Sequence, residues 1–482
     1  MGKLDNITTD NASIAQGESE AIEPSGLSAA PNTRRHVSRF VPRNPRTNNI
    51  LFFLLAAFQA IQNGYTASVM NALNILPSYT EYFTLNTQTL ALNTSALWVG
   101  GIVSGFVAGS FCDWAGRKQT MLWSALLCIV GEVLQGCAHN VGMFVASRII
   151  IGFAIGVANV GASTFLAEIV EMQWRAFVLG FFWSGWFMGS LIAAGVTYGT
   201  KNIQSTWAWR APSLIQIATS VLCIIILPFV PESPRWLVYQ DRTDDALEVL
   251  AVAHAWGDTT NQVVVTEFRE ITETLNFEKL NGSVSPLEVI RTPGNRKRIL
   301  LCLSAAIFSM TMGNNIATYF LGTMLTTAGV TDLDSQLQVN IILSAWSLVC
   351  SLVGTLYSDK LGRRLLGIIS TTLATVFLFL VGGFSALYGD GKNTSGSYAT
   401  VARYLNPGVQ VVLMFLFMGA YSFGWTPLTM MYPVEVLNYS TRATGMGMYT
   451  FWANGIGLLI TFAFPFSFEA IGKYSSFCPF LR

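Results

Sequence analysis

Glu168-Ile-Val-Glu-Met-Gln-Trp-Arg175 and Glu435-Val-Leu-Asn-Tyr-Ser-Thr-Arg442 are two copies of one device: an acid followed seven residues later by an arginine, beside a long apolar stretch. A second device runs ahead of each. Asp113-Trp-Ala-Gly-Arg117-Lys118 recurs as Asp359-Lys-Leu-Gly-Arg363-Arg364. Two signatures in the same order, in both halves of a strongly apolar chain, predict a duplicated membrane bundle.

Composition points the same way. Hydrophobic residues make up 52% of the 482-residue chain and charged residues 11%, against about a quarter charged in a typical soluble domain. The 42 glycines suit helices packed backbone against backbone. A net charge of +1 offers no field for nucleic acid. The seven cysteines show no paired spacing, and His36, His139 and His254 are scattered. Neither a metal site, a cofactor nor a disulfide framework is expected, and no nucleophile or nucleotide motif supports an enzyme.

Residues 1–48 are polar and predict a disordered cytosolic tail. Arg34, Arg35, Arg39, Arg43 and Arg46 hold that end in the cytoplasm by the positive-inside rule. Stretches long enough to cross a bilayer follow at about 49–70, 94–112, 120–138, 144–167, 177–199 and 212–230, then at about 298–320, 338–357, 366–388, 408–430 and 445–466. Alternation puts both pairs of motif loops on the cytosolic side, with most of the arginines and lysines. The reading is an N-terminal six-helix bundle over 49–230, a cytosolic linker with short helices over 231–297, and a C-terminal bundle over 298–482. Amphipathic stretches near Asp244–Ala255 and Asn261–Phe277 supply the linker helices. About eleven complete spans are visible where a twofold repeat of six predicts twelve. Residues 474–481 could begin the twelfth but are too few to cross, so a truncated last helix is expected. Asn93 and Asn393 head glycosylation sequons on the expected outer side; Asn6, Asn11, Asn281 and Asn438 head sequons on the expected cytosolic side.

Gly109-x3-Asp113-x2-Gly116-Arg117-Lys118, Arg148-x3-Gly152, Glu168-x6-Arg175, Pro231-Glu-Ser-Pro-Arg-Trp236 and Glu435-x6-Arg442 together resemble the sugar-porter branch of the major facilitator superfamily, over about residues 50–475. Gly64-Tyr65, Met70-Asn71, Thr197-Tyr-Gly-Thr200, Thr292-Pro-Gly-Asn-Arg296 and Gly313-Asn314 with Tyr319 are similar to fungal lactose permeases and cellodextrin transporters. The resemblance implies an all-α membrane protein with the major facilitator two-bundle fold, six helices plus six. It also implies a carbohydrate substrate carried by alternating access and, for many relatives, proton symport. The plasma membrane is the implied location, and the expected partners are sugar, protons and the lipid bilayer, with the chain a monomer.

A sugar needs many hydrogen-bonding partners and flat apolar surfaces. Gln59, Gln62, Asn63 and Thr66 recur at i, i+3, i+4, i+7 in the first span and share one helical face. Thr311, Asn314, Asn315 and Thr318 repeat that spacing in the seventh span, with Tyr319 beside them. A polar stripe on both equivalent helices suits a site between two bundles; interhelical hydrogen bonding without a ligand is the plainer alternative. Of the tryptophans inside spans (Trp183, Trp186, Trp346, Trp425 and Trp452), Trp425 and Trp452 are the candidates to stack on a sugar ring, packing being the alternative. Asp113, Arg117, Glu168, Arg175, Asp359, Arg363, Glu435 and Arg442 are, by the resemblance, a conformational latch.

The chain also departs from the pattern. Proton-coupled relatives carry an acid directly after the Gly-Tyr of span 1, where Thr66 stands, while its partner Arg148 is retained. Glu132, inside span 3, is the candidate replacement, as ion-pair partner of Arg148 or as proton carrier. Otherwise the chain is an uncoupled facilitator. Ser309-Met310 replaces the Gln-Gln of hexose porters, and Met430 stands at the aromatic position of span 10. This favours a disaccharide or oligosaccharide over a hexose. A transporter-like sugar sensor is the reading from a different class.

Overall fold

The computed structural model describes residues 40–280, 293–327, 330–389, 407–437 and 442–471. Every regular element among them is helical. The first half holds α1 (Pro45–Ile75), α2 (Pro77–Tyr82), α3 (Thr87–Ala115), α4 (Arg117–Gly136), α5 (Val141–Ile169), α6 (Met172–Ser184), α7 (Trp186–Thr200), α8 (Trp207–Ile215) and α9 (Ile217–Ile226). The linker holds α10 (Pro234–Tyr239), α11 (Thr243–His254) and α12 (Gln262–Leu280). The second half holds α13 (Pro293–Thr311), α14 (Asn314–Tyr319), α15 (Leu321–Thr327), α16 (Leu333–Leu361), α17 (Arg363–Gly389), α18 (Pro407–Val436) and α19 (Arg442–Ile471).

The breaks have local causes. Asn44 caps α1 by accepting from the Arg46 amide at 3.0 Å, and Pro45 opens the helix, where its missing N–H costs nothing. Gly116 and Gly362, at φ +92° and +76°, turn the chain between α3 and α4 and between α16 and α17. Gly313, at φ +91°, ends the α13 segment and lets α14 start afresh with Asn314 and Asn315 in its first turn. A broken helix of this kind frees polar groups where they can line a cavity.

Among the described residues nine segments are long and apolar enough to cross a membrane. The two further expected spans fall on α4 and on α13–α14. α4 carries Gln119, Glu132 and Gln135, and α13 opens with Arg296-Lys297-Arg298, so both are too polar to qualify by composition alone. The twelfth-span expectation at 474–481, residues 1–39 of the expected tail, and the sequons at Asn6, Asn11, Asn281, Asn393 and Asn438 lie outside the described residues; the end of the tail expected over 1–48 is corrected, because Pro45 to Asn48 form the first turn of α1, with Asn48 buried. Asn93 corrects its own expectation. It is fully buried in α3 and donates to the Tyr79 hydroxyl at 3.1 Å, so the amide is out of reach of a glycosylating enzyme.

The two halves meet along several helix pairs, α6 with α18 and α16 among them. α3 packs against α19, and α7 packs against α16. Small residues set the first crossing: a Cβ on Gly105 would stand 2.8 Å from the Phe451 backbone, and one on Gly447 2.8 Å from the Gly105 carbonyl. The second crossing is polar and runs the full length of the helices, as described below. The linker helices share the core of the first half. Ala246, Val249 and Ala253 of α11 pack into the same buried cluster as Phe165 and Ile169 of α5. Asn48 at the head of α1 donates to the Val252 carbonyl of α11 at 3.0 Å.

Candidate functional site

Between the halves lies a cavity of about 110 Å³. Of the expected stripe of the second half, Asn314, Asn315, Thr318 and Tyr319 line it, whereas Thr311 lies outside and donates to the Ile307 carbonyl within its own helix at 2.8 Å. The first-half stripe divides. Asn63 lines the cavity and donates to Asn159 of α5 at 2.5 Å. Gln62 turns away and donates to Ser220 of α9 at 2.7 Å, while Gln59 lies against Cys223. Thr66 is fully buried and offers its backbone carbonyl to Arg148. α1 packs on α7 and α9 as well as facing the cavity, so residues spaced three and four apart serve different neighbours.

The tryptophan expectation is corrected. Trp452 is 47% exposed on the outer surface of α19. Trp425 is tied to Thr371 of α17 at 2.9 Å, and neither ring lines the cavity. Trp98, Trp183 and Trp186 line it instead. Trp183 and Trp186 pack with ring centroids 5.5 Å apart, and Trp98 meets Tyr319 edge to face at 6.1 Å. Asn159 and Asn454 are cavity residues that the motif reading missed. A lone amide within an apolar span was the available signal, because such a group is kept from lipid at a cost of a few kcal/mol.

Several polar atoms on this wall have no partner among the described residues: Asn63 Oδ1, Trp98 Nε1, Asn314 Oδ1, Tyr319 Oη and Thr426 Oγ1. Each such buried group costs about 1–3 kcal/mol unless something satisfies it. Aromatic faces and unspent donors and acceptors together suit a small polyhydroxylated ligand.

The cavity is closed in both directions along the antiparallel pair α7 and α16. At the far end Lys201 pairs with Asp334 at 2.6 Å and Tyr198 accepts from Gln338 at 3.3 Å. Midway Ser190 meets Ser344 at 2.9 Å. At the motif-bearing end Ser184, the last residue of α6, meets Thr355 of α16 at 2.8 Å. On the opposite flank α3 and α19 touch from Trp98 and Gly457 through to Gly105 and Gly447.

The repeated motifs build two matching braces at one end of the molecule. Arg117 Nε and Nη2 donate to the two oxygens of Glu168 at 3.0 and 3.1 Å, and its Nη1 lies 3.2 Å from Asp113. Arg363 likewise donates to Glu435 at 3.1 and 2.8 Å and to Asp359 at 2.6 Å. The acid of each second motif therefore pairs with the arginine of the first. Arg175 donates to the Val170 carbonyl at 3.4 Å and shares a crevice with Glu168. The Gly116 turn carries Arg117 across to the end of α5. The Arg442 side chain lies outside the described residues.

The first brace is the more enclosed, because the linker seals it. Glu232 accepts from the backbone amides of Arg117 and Lys118 at 3.0 and 3.1 Å, capping α4. Burial pushes the Glu232 carboxyl above the usual range, opposed by the amides of Ser233, Lys118 and Arg117 and by the Arg117 charge. Ser233 donates to Glu168 at 2.5 Å, and Trp236 Nε1 donates to the Asp113 carbonyl at 2.9 Å. Beside both braces a crevice of about 1100 Å³ is lined by charged residues that include Arg175, Arg235, Glu267 and Glu270.

Glu132 and Arg148 do not pair. Glu132 is fully buried and accepts from Ser220 at 3.1 and 3.3 Å. Arg148, also fully buried, donates through Nη1 to the Thr66 carbonyl at 2.8 Å. The expectation counted only depth along spans 3 and 4. The two side chains leave their helices toward different neighbours, one toward α9 and one toward α1. Among the described residues no cluster of His, Cys, Asp and Glu is arranged to hold a metal.

Comparison with known proteins places these features. A family described as "Sugar (and other) transporter" matches residues 52–481. The chain is 28% identical to the "MFS glucose transporter mfs1" of Aspergillus flavus, over 80% of this chain and 75% of that one. It is 25% identical to a "High-affinity glucose transporter" of Kluyveromyces lactis, over 87% and 78% of the two chains. It is 24% identical to an "Arabinose-proton symporter" of Bacillus subtilis, over 93% and 90%. Among solved structures, the proton:xylose symporter XylE bound to 6-bromo-6-deoxy-D-glucose superposes with a TM-score of 0.76 at 20% identity, covering 90% of this chain and 94% of that one. The inward-open conformation of XylE from E. coli superposes at 0.66 and 18% identity, covering 88% and 92%.

Proposed function

The chain belongs to the sugar transporter family of the major facilitator superfamily, and from that membership we propose that it moves a single-ring sugar by alternating access, with the cavity as its substrate site. It is a multi-pass membrane protein, and its relatives are transporters rather than enzymes. The observation that carries the reading is the cavity between the halves, walled by Asn63, Asn314 and Tyr319 with polar atoms left unspent. Its volume holds only several water molecules, which favours a monosaccharide over the disaccharide expected from sequence. The contacts above and below the cavity describe an occluded state.

In this reading the two braces hold the helix ends of their own halves on the cytosolic side, where the arginines concentrate, and the N-terminus is cytosolic in the plasma membrane. Lys201–Asp334 and Tyr198–Gln338 are the outer contacts that part on outward opening. Proton symport is the second reading. It is favoured by Glu132, a buried carboxyl linked through Ser220 to Gln62 on α1. Uptake of labelled glucose, xylose, lactose and cellobiose by transporter-null cells, with and without a protonophore, tests both. Saturable uptake of a monosaccharide is expected. Failure of all four by a surface-exposed protein would refute transport of these neutral sugars.

A further inference from the structure

We propose that the sugar carried is an acidic one, a hexuronate, and that its carboxylate is the counter-ion of Arg148. This rests on the transporter reading above and names the substrate class of the same cavity. Arg148 is a full positive charge with no exposed surface, inside a membrane helix. Its Nη1 has the Thr66 carbonyl as partner, while among the described residues Nε and Nη2 have none. Among the described residues no carboxylate pairs with it: Glu132 is engaged by Ser220, and Thr66 is uncharged. A charge buried this way and left unpaired is among the costliest arrangements a membrane protein keeps.

The missing anion has a place to arrive. Arg148 stands one helical turn before Gly152, which lines the cavity, on the same face of α5. Tyr319 lines the cavity too, and Arg148 and its hydroxyl lie within electrostatic reach of one another. The Tyr319 hydroxyl and the neighbouring Trp98 Nε1 also lack partners. The cavity wall thus carries unspent donors at Tyr319 and Trp98, with the Arg148 cation behind it, one helical turn from Gly152. A neutral sugar hydroxyl could accept from one of them but would leave the guanidinium charge uncompensated. A carboxylate accepts through two oxygens and neutralises it, which is the geometry a guanidinium fork recognises. The ring hydroxyls would fall to the amides of Asn63, Asn314 and Asn315.

Labelled D-glucuronate and D-glucose differ only at C6, carboxylate against hydroxymethyl, and so isolate the charge. In transporter-null cells making the full chain, with uptake counted per surface molecule, D-glucuronate should half-saturate at a concentration at least tenfold below D-glucose. Arg148→Gln should lower the glucuronate-to-glucose uptake ratio at least tenfold, and Arg148→Lys by less. Thr66→Asp leaves the arginine in place and gives it a carboxylate of its own, so it should collapse the same ratio. This second variant answers the question even if Arg148→Gln fails to reach the surface. Glucose uptake with neither transport of nor inhibition by D-glucuronate would overturn the inference and leave the transporter reading standing. A ratio unmoved by Thr66→Asp would overturn it as well. If surface protein carries neither sugar, both readings fall together.

Discussion

The two braces are built from the same residue types at the same spacing, yet they should differ in strength by about two orders of magnitude. In the first, the Arg117 and Glu168 side chains are 9% and 4% exposed. In the second, Arg363 and Glu435 are 24% and 38% exposed. Glu168→Gln keeps shape and removes charge. Removing one partner of a buried pair costs about 3–5 kcal/mol. Asp113 still stands 3.2 Å from Arg117 and is 45% exposed, so the lower end, about 3 kcal/mol, is expected. At 1.36 kcal/mol per decade that is about 150-fold. Glu435→Gln breaks a pair that water already screens, worth about 0–1 kcal/mol, or about fivefold at most. Hydrogen–deuterium exchange of detergent-solubilised protein reads both directly. Amides at the start of α4 and in residues 231–239 should exchange about 150-fold faster in Glu168→Gln, and amides at the start of α17 less than fivefold faster in Glu435→Gln. Equal accelerations in the two variants would show that burial by the linker does not set the strength of the brace.

Gly105→Val should cut uptake per surface molecule at least fivefold, because its Cβ would meet the Phe451 backbone at 2.8 Å and overpacking costs about 1–3 kcal/mol; Gly455→Ala, with nothing within 4 Å, should not. Glu132→Gln should abolish protonophore-sensitive accumulation of sugar while exchange of labelled for unlabelled sugar continues; retained accumulation would remove this residue from any proton path. His254 links α11 to Glu267 of α12 at 3.2 Å and to the Ile169 carbonyl at the end of α5 at 3.1 Å. Burial opposes its charge, but Glu267 and the carbonyl outweigh that and raise its pKa above the ordinary 6.5. Its stabilisation is therefore complete below about pH 6.5 and is lost as pH rises through the elevated folded value. Thermal stability measured from pH 6 upward should fall in the wild type by a step that His254→Asn removes.

How much was legible depended on whether a residue's role is set by local spacing or by the packing of distant helices. Gly116-Arg117 and Gly362-Arg363 announced two turns and two arginines because a positive φ is a local demand. The duplication announced two bundles because the same demands recur in order. The span-7 stripe was legible as a unit, since the break at Gly313 turns Asn314, Asn315, Thr318 and Tyr319 into the cavity together. The span-1 stripe was not, because a helix packed on two neighbours distributes a periodic face among them: Gln62 to Ser220, Asn63 to Asn159, Thr66 to Arg148.

The tryptophans failed for a related reason. Depth along a span says nothing about azimuth, and Trp452 sits at the right depth on the wrong face. Trp98 had a usable signal. It precedes Gly101, Gly105 and Gly109, a ridge of small residues at i, i+4, i+8 that marks the face of α3 pressed against α19, and i−3 from that ridge falls on the same face. The pairing of Glu132 with Arg148 failed on azimuth too, and its failure is informative. Had the two charges met, the membrane interior would be electrically closed and the cavity would need only neutral hydroxyls. Because they do not meet, the arginine remains one helical turn from the cavity wall with two N–H groups unspent. The chemistry of the ligand then becomes part of the electrostatic balance of the protein.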